Sequence, residues 1–362
     1  MRFAVLPGDG IGPEISAATL HVLDLANRHM SLGLVFETHE VGLECLQREG
    51  TTFPAAVMKA CESADGILLG PVSHAEYPPR AKGGVNPSAE LRIGLDLFAN
   101  IRPSRSRAGL PHWGRTPIDL VIVRENTEGF YSDRNMFEGP GEFMPTSELA
   151  LSIRKITAAG SRRIAKAAFD LARTRRRKVT AVHKANVLRV SEGLFLGEVR
   201  KVARGFPDVA YDEQLVDSMA ALLVRVGDKF DVVVTTNMFG DILSDEAAEL
   251  AGSLGLAGAL NAGDRHAMAQ AQHGSAPDLA GRDAANPASL ILSAAMLLDW
   301  LGRRHLRENY CRAAQVIERS VDSVLAIPAH RTRDLGGSLG TKAFAEELCK
   351  EMESHGVERD AP

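Results

Sequence analysis

The stretch NMFGDILSDEAAELAGSLG, residues 237–255, places two aspartates four residues apart on a predicted helix. Asp241 and Asp245 share one face of that helix, where like charges repel by about 0.2–0.5 kcal/mol per pair. No lysine or arginine stands near them in the sequence. Because carboxylate oxygens are the ligands that Mg²⁺ and Mn²⁺ prefer, the pair indicates half of a metal site. The alternative is an amphipathic surface helix whose solvated acidic face also carries Glu249.

Three arginines fall in segments that are predicted to be structured: Arg92 in AELRIGLDLF, Arg102 in FANIRP and Arg124 in VIVREN. An arginine in or beside an apolar strand is costly unless it is paired, and its planar fork can hold a carboxylate by two hydrogen bonds. Three such forks suit a substrate with two or three carboxylates. The alternative is that each arginine pairs with a nearby acid such as Glu90, Asp96 or Glu125.

Candidate proton carriers follow the strand-like runs. Lys184 in TAVHKANVL ends an apolar run, where desolvation and neighbouring cations favour the neutral amine of a general base. Tyr131 in GFYSD follows Arg124 closely enough to donate a proton beside a carboxylate clamp. Asp217 starts a predicted helix and could simply cap it. The alternative for Lys184 is a solvated lysine at the end of a strand, and the alternative for Tyr131 is a structural tyrosine. His183 would point to the other face and is given no role.

Two glycine-containing segments invite a ligand interpretation. GDGIGPE, residues 8–14, lies between a predicted strand and a helix, but its GxGxG spacing does not fit the GxGxxG dinucleotide fingerprint. We therefore reject a Rossmann site and predict a tight turn near a ligand. HGSAPDLAG, residues 273–281, is a turn of small residues that exposes its backbone, with Asp278 placed to accept from paired hydroxyls and Asn286 shortly after it.

The elements that position these residues follow an α/β pattern. Near the N-terminus, short apolar runs alternate with helical periods in the βαβ rhythm of a mostly parallel sheet. A middle block reads as a second α/β lobe. Its predicted strands are 119–126, 178–184 and 231–237, and its predicted helices are 147–173 and 191–203. Long helices return at 287–302 and 307–325.

Composition excludes several classes of function. The chain has 362 residues, a formal net charge of −4 and 5% aromatic residues, which gives no field or stacking surface for nucleic acid. Its longest apolar window, residues 288–298, is shorter than the roughly 20 residues of a membrane span, and no secretion signal is evident. The four cysteines form no CxxC pair, which makes zinc improbable and suits reduced thiols. We expect a cytoplasmic protein that binds a small molecule.

Six strings in order, GDGIGPE, LRIGLDLFANIRP, VIVRENTEGFYS, HKANVL, FGDILSDEAAELAGSLG and HGSAPDLAG, strongly resemble the isocitrate and isopropylmalate dehydrogenase family. The resemblance covers nearly the whole chain. It implies a two-lobed α/β fold with mostly parallel sheets flanked by helices, distinct from the Rossmann fold. The large domain would comprise residues 1–99 and 250–362, and a small domain with the dimer interface would comprise 100–249. It further implies a homodimer whose active sites are shared between subunits.

The resemblance also implies a reaction and its residues. Such enzymes oxidise a malate-type 2-hydroxy acid with Mg²⁺ or Mn²⁺ and then decarboxylate it. By motif, Arg92, Arg102 and Arg124 match the substrate-carboxylate arginines, and Tyr131 matches the catalytic tyrosine that protonates C3. Asp241 and Asp245 match the metal ligands. Lys184 and Asp217 match residues that the neighbouring chain contributes, the lysine as base and the aspartate as its partner and a further metal ligand.

In this family the adenosine end of the cofactor lies on the HGSAPD loop, so no glycine fingerprint is required. The residues that match that loop are His273, Gly274, Ala276, Asp278 and Asn286. Asp278 would accept from the adenosine ribose hydroxyls and repel a 2′-phosphate, whereas NADP-dependent members resemble a Lys-Tyr pair at 278–279. The resemblance therefore implies NAD.

The chain departs from the isopropylmalate pattern just before the first arginine. Val85, Ser88 and Ala89 stand where those enzymes carry a glutamate and two leucines, a loss of about 1–3 kcal/mol in selectivity per contact. Asn86 and Ser88 carry, in reversed order, residue types of isocitrate enzymes and are predicted substrate contacts. The candidate substrates are 3-isopropylmalate, isocitrate or homoisocitrate, and D-malate or tartrate. Among these, the sequence favours a substrate with a polar C3 substituent or with none.

A second departure precedes the cofactor loop, where Gln270 and Ala271 replace the usual Glu-Pro. This predicts a changed direction of the loop and one carboxylate fewer near the nicotinamide side.

The competing interpretation of the whole chain is a regulatory or binding homologue that has lost turnover. Such chains usually lack a metal aspartate, the lysine or the tyrosine, all of which are present here.

Overall fold

A computed structural model of the protein describes residues 1–131, 136 and 139–354. Apolar and β-branched runs form its strands. The strands are β1 (Arg2–Leu6), β2 (Val35–Thr38), β3 (Gly66–Leu69), β4 (Ala99–Arg105), β5 (Asp119–Glu125), β6 (Glu142–Thr146), β7 (Leu149–Ser152), β8 (Lys178–His183), β9 (Ala210–Leu215), β10 (Val232–Thr235), β11 (Leu260–Ala262) and β12 (Ala267–Gln270).

The segments of helical periodicity form amphipathic helices whose apolar faces are buried. The helices are α1 (Gly12–His29), α2 (Leu43–Glu49), α3 (Ala55–Ser63), α4 (Pro87–Gly94), α5 (Ala158–Arg173), α6 (Ser191–Ala203), α7 (Val216–Val226), α8 (Asn237–Ala251), α9 (Ala288–Arg304), α10 (Glu308–Ala326) and α11 (Thr341–Ser354). None of the helices in the described part of the chain is long and apolar enough to span a bilayer.

The first of two compact units comprises Met1–Leu95, Arg107–Pro111 and the described residues from Ser253 onward. Its strands run in the order β2-β1-β3-β12-β11. All neighbouring pairs are parallel except β11 with β12. Helices α1, α9, α10 and α11 pack together in this unit. Strand β12, which lies between β3 and β11, ends at Gln270, shortly before the predicted cofactor loop.

The second unit comprises Asp96–Ser106 and His112–Gly252. Its strand order is β4-β5-β10-β8-β9, with only β4 antiparallel to its neighbour. Residues on β5 alternate between two cores: Val121 and Val123 pack with α5 and α6, whereas Leu120 and Ile122 pack with α7 and α8. Arg124 continues the second series and therefore faces α8. The predicted division at 99/100 and 249/250, with the interface on the smaller part, stays a prediction.

One predicted element is wrong in its first half. The helix predicted for 147–173 begins only at Ala158, and the antiparallel pair β6 and β7 precedes it. Alternation of Leu149, Leu151 and Ile153 is a period-two signal, and these side chains are exposed because the two-stranded sheet stands away from the core. The predicted helices near 191–203, 287–302 and 307–325 are confirmed as α6, α9 and α10.

Candidate active site

Helix α8 presents a row of polar side chains from its first turn. Asn237, Asp241 and Asp245 follow one another at intervals of four residues, so they share one face of the helix. The helix lies close to β5 because residue 240 is glycine: a Cβ there would approach the Cβ and Cγ atoms of Arg124 to 2.7 Å. The sequence thus brings the aspartates against the strand that carries an arginine.

Arg102 on β4 bridges the two aspartates. Its side chain is only 7% exposed, and Nη1 donates to Asp241 Oδ1 at 3.0 Å and to Asp245 Oδ1 at 3.2 Å. The same nitrogen donates to Ser244 Oγ at 2.8 Å, and Nε donates to Asn100 Oδ1. Burial, together with the cation of Arg124, lowers the pKa of Arg102 to about 10, so the guanidinium is still charged at neutral pH.

Arg124 on β5 gathers the remaining groups. Its side chain is 2% exposed, and Nη1 contacts Asp241 Oδ1. Nε and Nη2 donate to Asn237 Oδ1 at 2.9 and 2.6 Å, and Nη2 donates to the Tyr131 hydroxyl at 2.6 Å. The hydroxyl of Tyr131 in turn donates to Asp241 Oδ2 at 2.9 Å. Tyrosine, arginine and aspartate therefore form one hydrogen-bonded network.

This network corrects one sequence expectation. The aspartates had no cation near them in the chain, yet two arginines from 117 to 143 residues away neutralise them. Each carboxylate therefore has at least one guanidinium partner. The acids considered for local pairing have other partners. Glu90 pairs with Arg80 and Asp96 pairs with Arg163, while Glu125 accepts from the hydroxyl of Thr127 and the backbone nitrogen of Glu128.

The carboxylates fit a hard divalent cation. Asp241 and Asp245 are 40% and 51% exposed, so their oxygens are accessible from solvent. Among the described residues of a single chain, no group of three His, Cys, Asp or Glu side chains could hold a metal, so Asp217 does not join this pair within the chain. A two-aspartate site needs further oxygen ligands from substrate, water or a second chain, which is the open coordination expected of a Mg²⁺ or Mn²⁺ site.

Lys184 and Asp217 form a separate pair. Lys184 follows β8, Asp217 lies in the first turn of α7, and Nζ donates to Asp217 Oδ1 at 2.5 Å. This hydrogen bond lowers the pKa of Asp217, whose side chain is exposed. Asp217 is not the N-cap residue of α7, because Leu215 occupies that position.

Behind Lys184 lies a buried ion pair. Glu192 on α6 is fully buried, accepts from the backbone nitrogen of Lys184 at 2.9 Å and contacts Arg154. Arg154 also donates to the hydroxyl of Thr236 at 2.8 Å, the residue that precedes α8. The segment that carries the lysine is therefore fixed to the helix that carries the aspartates.

In the first unit, α4 carries the predicted specificity residues. Asn86 caps the helix by accepting from the backbone nitrogens of Ser88 and Ala89 at 3.1 and 3.3 Å. Ser88 and Arg92 lie one turn apart, and both donate to the side-chain oxygen of Gln270, Ser88 Oγ at 3.1 Å and Arg92 Nη2 at 3.0 Å. Gln270 thus has a polar contact with both residues.

The predicted cofactor loop, residues 273–281, is held by the glycine turn at residues 8–14, whose spacing does not match the dinucleotide fingerprint. Ile11 N donates to Ser275 O at 2.8 Å, and a Cβ on Gly10 would meet that same oxygen at 2.0 Å, so only glycine fits there. Ser275 Oγ and Ser73 Oγ are 2.7 Å apart. Asp9 fixes the turn by accepting from Ser73 N at 2.8 Å. The glycines therefore support the loop instead of forming a fingerprint of their own.

The five predicted cofactor residues lie on this loop in different environments. Asp278 and Gly274 are exposed, and His273 is half-buried, with burial lowering its pKa. Ala276 adopts a left-handed conformation at φ 38°, which turns the backbone just before Asp278. Asn286 is buried and donates to Asp334 Oδ2 at 3.0 Å, while its own oxygen accepts from Ala288 N at 3.0 Å.

Sequence reasoning missed several residues of these sites. Asn237 lies four residues before Asp241 on α8, the same spacing that separates the two aspartates, so it could have been predicted from the sequence. The contacts of Ser73 and Ser275, and that of Glu192 with Arg154, join positions that are distant in the chain and carry no periodic signal.

Comparisons with known proteins agree with this geometry. The sequence model of the family described as isocitrate/isopropylmalate dehydrogenase matches residues 2–352. The chain is 40% identical to a 3-isopropylmalate dehydrogenase of Methanothermobacter thermautotrophicus, over 98% of this chain and 99% of the relative. It is 42% identical to an isocitrate/homoisocitrate dehydrogenase of Thermus thermophilus, again over 98% and 99%.

A solved structure shares the fold. The isocitrate dehydrogenase from Methylococcus capsulatus superposes with a TM-score of 0.85 and 36% sequence identity, covering 97% of this chain and 99% of that chain. The α/β fold with a mostly parallel sheet, predicted from the sequence, is confirmed. The chain belongs to the isocitrate/isopropylmalate dehydrogenase family of decarboxylating oxidoreductases.

Proposed function

We propose that the protein catalyses the NAD-dependent oxidative decarboxylation of a malate-type 2-hydroxy acid with Mg²⁺ or Mn²⁺. The observation that carries this proposal is the network of Arg102, Arg124, Tyr131, Asp241 and Asp245. Hydrogen bonds link two guanidinium groups, a phenol and two carboxylates in one network, and these are groups that can bind substrate carboxylates, donate a proton and ligate a hard cation. Members of the family act on small carboxylate substrates, and the residues supply groups suited to them.

Charge balance explains how one cluster can serve both metal and substrate. The two arginines and two aspartates sum to zero, and both arginines are buried against the acids. A divalent cation and a dicarboxylate together also sum to zero. On binding of the two, the aspartates can turn to the cation while the arginines turn to the carboxylates, so each charged group exchanges one oppositely charged partner for another.

The bound cofactors supply a hydride acceptor and a Lewis acid that polarises the oxygen on C2. The chain's own residues do the rest. Arg102, Arg124 and Arg92 hold the carboxylates and orient the substrate. Lys184, contributed by the neighbouring subunit with Asp217, accepts the hydroxyl proton. Tyr131, whose hydroxyl is hydrogen-bonded to Arg124 and Asp241, returns a proton to C3 after carbon dioxide leaves.

NAD is favoured over NADP by one exposed charge. Asp278 follows the left-handed Ala276 in a short turn, and its carboxylate lies on the surface. An aspartate there can accept from ribose hydroxyls, but it repels a 2′-phosphate. His273, Gly274 and Asn286 are the further proposed contacts of the adenosine end.

A second copy of this chain is the proposed partner, with active sites shared between the copies. The two-stranded sheet of β6 and β7 supports this, because its residues are exposed on both faces and include large apolar side chains. Those side chains are Phe143, Met144, Leu149 and Leu151. The glycine-containing segment RNMFEGPGEFMPT, residues 134–146, is predicted from its sequence to be an arm that packs on a partner chain. Within it, residues 134–135 and 137–138 lie outside the described residues. All four cysteines are unpaired, consistent with the proposed cytoplasmic location.

The test is NADH formation with Mn²⁺ across 3-isopropylmalate, isocitrate, homoisocitrate, D-malate and tartrate. We expect turnover of one substrate far above the others, with NADP at least about tenfold poorer in kcat/KM than NAD. The polar α4 segment favours a substrate with a polar C3 substituent or none. Silence across the panel, with binding retained, would instead support a regulatory homologue without turnover.

A further inference from the structure

Asp9, in the glycine turn at residues 8–14, is a buried carboxylate with hydrogen bonds on both of its oxygens. The residue is only 6% exposed, and Oδ1 accepts from Leu43 N at 2.7 Å. Oδ2 accepts from Ser73 N at 2.8 Å and from the Tyr77 hydroxyl at 2.5 Å. Hydrogen bonds to an ionised acceptor are stronger than those between neutral groups. One carboxylate therefore holds segments of the first unit that are distant from it in the sequence.

The carboxylate of Asp9 is itself held in place. Its backbone nitrogen donates to Pro71 O at 2.8 Å, which fixes the turn against the segment that follows β3. Burial, and then the hydrogen bond to Asp9, raise the pKa of Tyr77 above its usual value, so the phenol stays protonated and can donate. Asp9 can therefore act as a fixed point from which neighbouring segments are positioned.

The Oδ2 side of Asp9 leads to the predicted cofactor loop. The backbone of Ser73 is bonded to Asp9, and Ser73 Oγ lies 2.7 Å from Ser275 Oγ on the loop. The carbonyl of Ser275 also accepts from Ile11 N, two residues after Asp9. The loop is thus bonded to the turn directly and, through Ser73, to the carboxylate of Asp9.

The Oδ1 side of Asp9 leads to α4. Leu43 begins α2, and the nitrogen of the preceding Gly42 donates to Thr52 O at 2.8 Å. Thr52 is fully buried, and its hydroxyl donates to Val85 O at 2.5 Å and accepts from Val85 N at 2.7 Å. Val85 directly precedes Asn86, the N-cap residue of α4. The same carboxylate is therefore linked to the start of the helix that carries the predicted specificity residues.

We propose that Asp9 is a positioning residue that sets the cofactor loop and α4 relative to each other. It acts on the loop through Ser73 and on the start of α4 through Thr52, and it touches neither ligand. Its loss therefore changes the KM values of both ligands and leaves kcat nearly unchanged. This proposal rests on the proposed function, because it assigns the loop to NAD and α4 to the substrate.

The test compares Asp9 with each of its two arms. Asp9→Ala removes both arms, and we expect the KM values of NAD and of the preferred panel substrate to rise about tenfold, with kcat within about threefold. Ser73→Ala should raise only the NAD KM and Thr52→Val only the substrate KM, each about 2–10-fold. Thr52→Ser, which keeps the hydroxyl, should retain the wild-type KM. The control Thr19→Val removes an equally buried hydroxyl, bonded to Ile15 O within α1, and should leave both KM values unchanged.

Asp9→Asn separates the two arms at the residue itself and disturbs packing less than alanine does. Asparagine keeps one acceptor oxygen and places an NH₂ donor where the other was. Only the Tyr77 hydroxyl can turn to accept, so the NH₂ group faces Tyr77 and the oxygen stays with Leu43 N. Ser73 N then loses its acceptor. We expect the NAD KM to rise about tenfold while the substrate KM changes less than about twofold.

Amide hydrogen exchange separates this proposal from the proposed function, because it requires no turnover. Asp9→Ala should speed exchange in residues 83–90 and 273–281, Ser73→Ala and Asp9→Asn only in 273–281, and Thr52→Val only in 83–90. If the substrate panel is silent but this pattern is found, the proposed function fails and the positioning role of Asp9 stands. Wild-type exchange in both Asp9 variants, equal changes of the two segments in Ser73→Ala or Thr52→Val, or wild-type KM values for both ligands in Asp9→Ala would each overturn the proposal.

Discussion

The arginine–aspartate cluster of the second unit and the cofactor loop of the first unit are built on opposite principles. In the cluster, Arg102 and Arg124 are buried, and each makes several charged or polar contacts with α8. In the loop, Asp278 is exposed, and the loop is held through the backbone and hydroxyl of Ser275. One region is fixed by buried charged side chains, and the other is fixed by uncharged hydrogen bonds of a backbone oxygen and a hydroxyl.

This difference separates chemistry from recognition. Groups that must meet a developing charge benefit from a fixed, partly desolvated setting, in which charged hydrogen bonds are strong. A loop that contacts the adenosine end of a cofactor needs only a correct position and surface charge. Substitutions in the cluster should therefore act mainly on kcat, whereas substitutions in the loop should act mainly on cofactor KM.

The strongest test of the cluster is Asp241→Asn. The substitution removes the only residue that contacts Arg102, Arg124 and Tyr131 together among the described residues, and it removes a proposed metal ligand. We expect kcat/KM to fall about 10³-fold and the free energy of unfolding to fall by about 1–3 kcal/mol. Steady-state kinetics and thermal unfolding measure the two effects. Asp299→Asn, which breaks an exposed helix pair with Arg303, is the control and should leave kcat unchanged. Wild-type turnover in Asp241→Asn would refute the metal assignment.

Tyr131→Phe tests the proton donor with less disturbance. Arg124 keeps its contacts with Asn237 and Asp241, so the cluster should remain folded. We expect kcat to fall about 10²-fold, as for loss of a general acid, with substrate KM changed less than about threefold. The control is Tyr211→Phe, which also loses a phenol bond to a carboxylate, that of Glu213, but outside the cluster. A rise in KM with normal kcat would assign Tyr131 to binding alone.

On the loop, Asp278→Asn tests cofactor choice. The change removes a surface charge and leaves the size of the side chain, so it should relieve repulsion of a 2′-phosphate and weaken acceptance from ribose hydroxyls. We expect the preference for NAD over NADP, measured as the ratio of kcat/KM values, to fall about tenfold while kcat with NAD is kept. Asp264→Asn, another exposed aspartate of the same unit, should leave the ratio unchanged. An unaltered ratio in Asp278→Asn would place cofactor choice elsewhere.

The same contrast explains what the sequence revealed. The spacing of Asp241 and Asp245 on a helix and the arginines on strands were readable locally, because helices and strands have fixed periods. The pairing of these aspartates with the arginines could not be predicted, because the partners are more than a hundred residues apart and meet only when β4, β5 and α8 pack. The spacing of the glycines in the turn at residues 8–14 was enough to reject the GxGxxG fingerprint. The contact of this turn with Ser275 could not be predicted, because the two segments meet only in the folded chain. The β6–β7 pair was missed although its alternation was present.

Ser275→Ala is expected to have the smallest effect, and it tests how much one hydroxyl hydrogen bond contributes to the position of the loop. It removes the 2.7 Å bond with the Ser73 hydroxyl but keeps the backbone oxygen that accepts from Ile11 N. A neutral hydrogen bond contributes about 0.5–1.5 kcal/mol, so we expect NAD KM to rise about 2–10-fold with kcat and substrate KM unchanged. Ser73→Ala should have the same effect, and the double variant should add nothing, because both remove one bond. Additive effects in the double variant would mean that each hydroxyl acts on its own, whereas an unchanged NAD KM in both single variants would mean that backbone contacts alone position the loop.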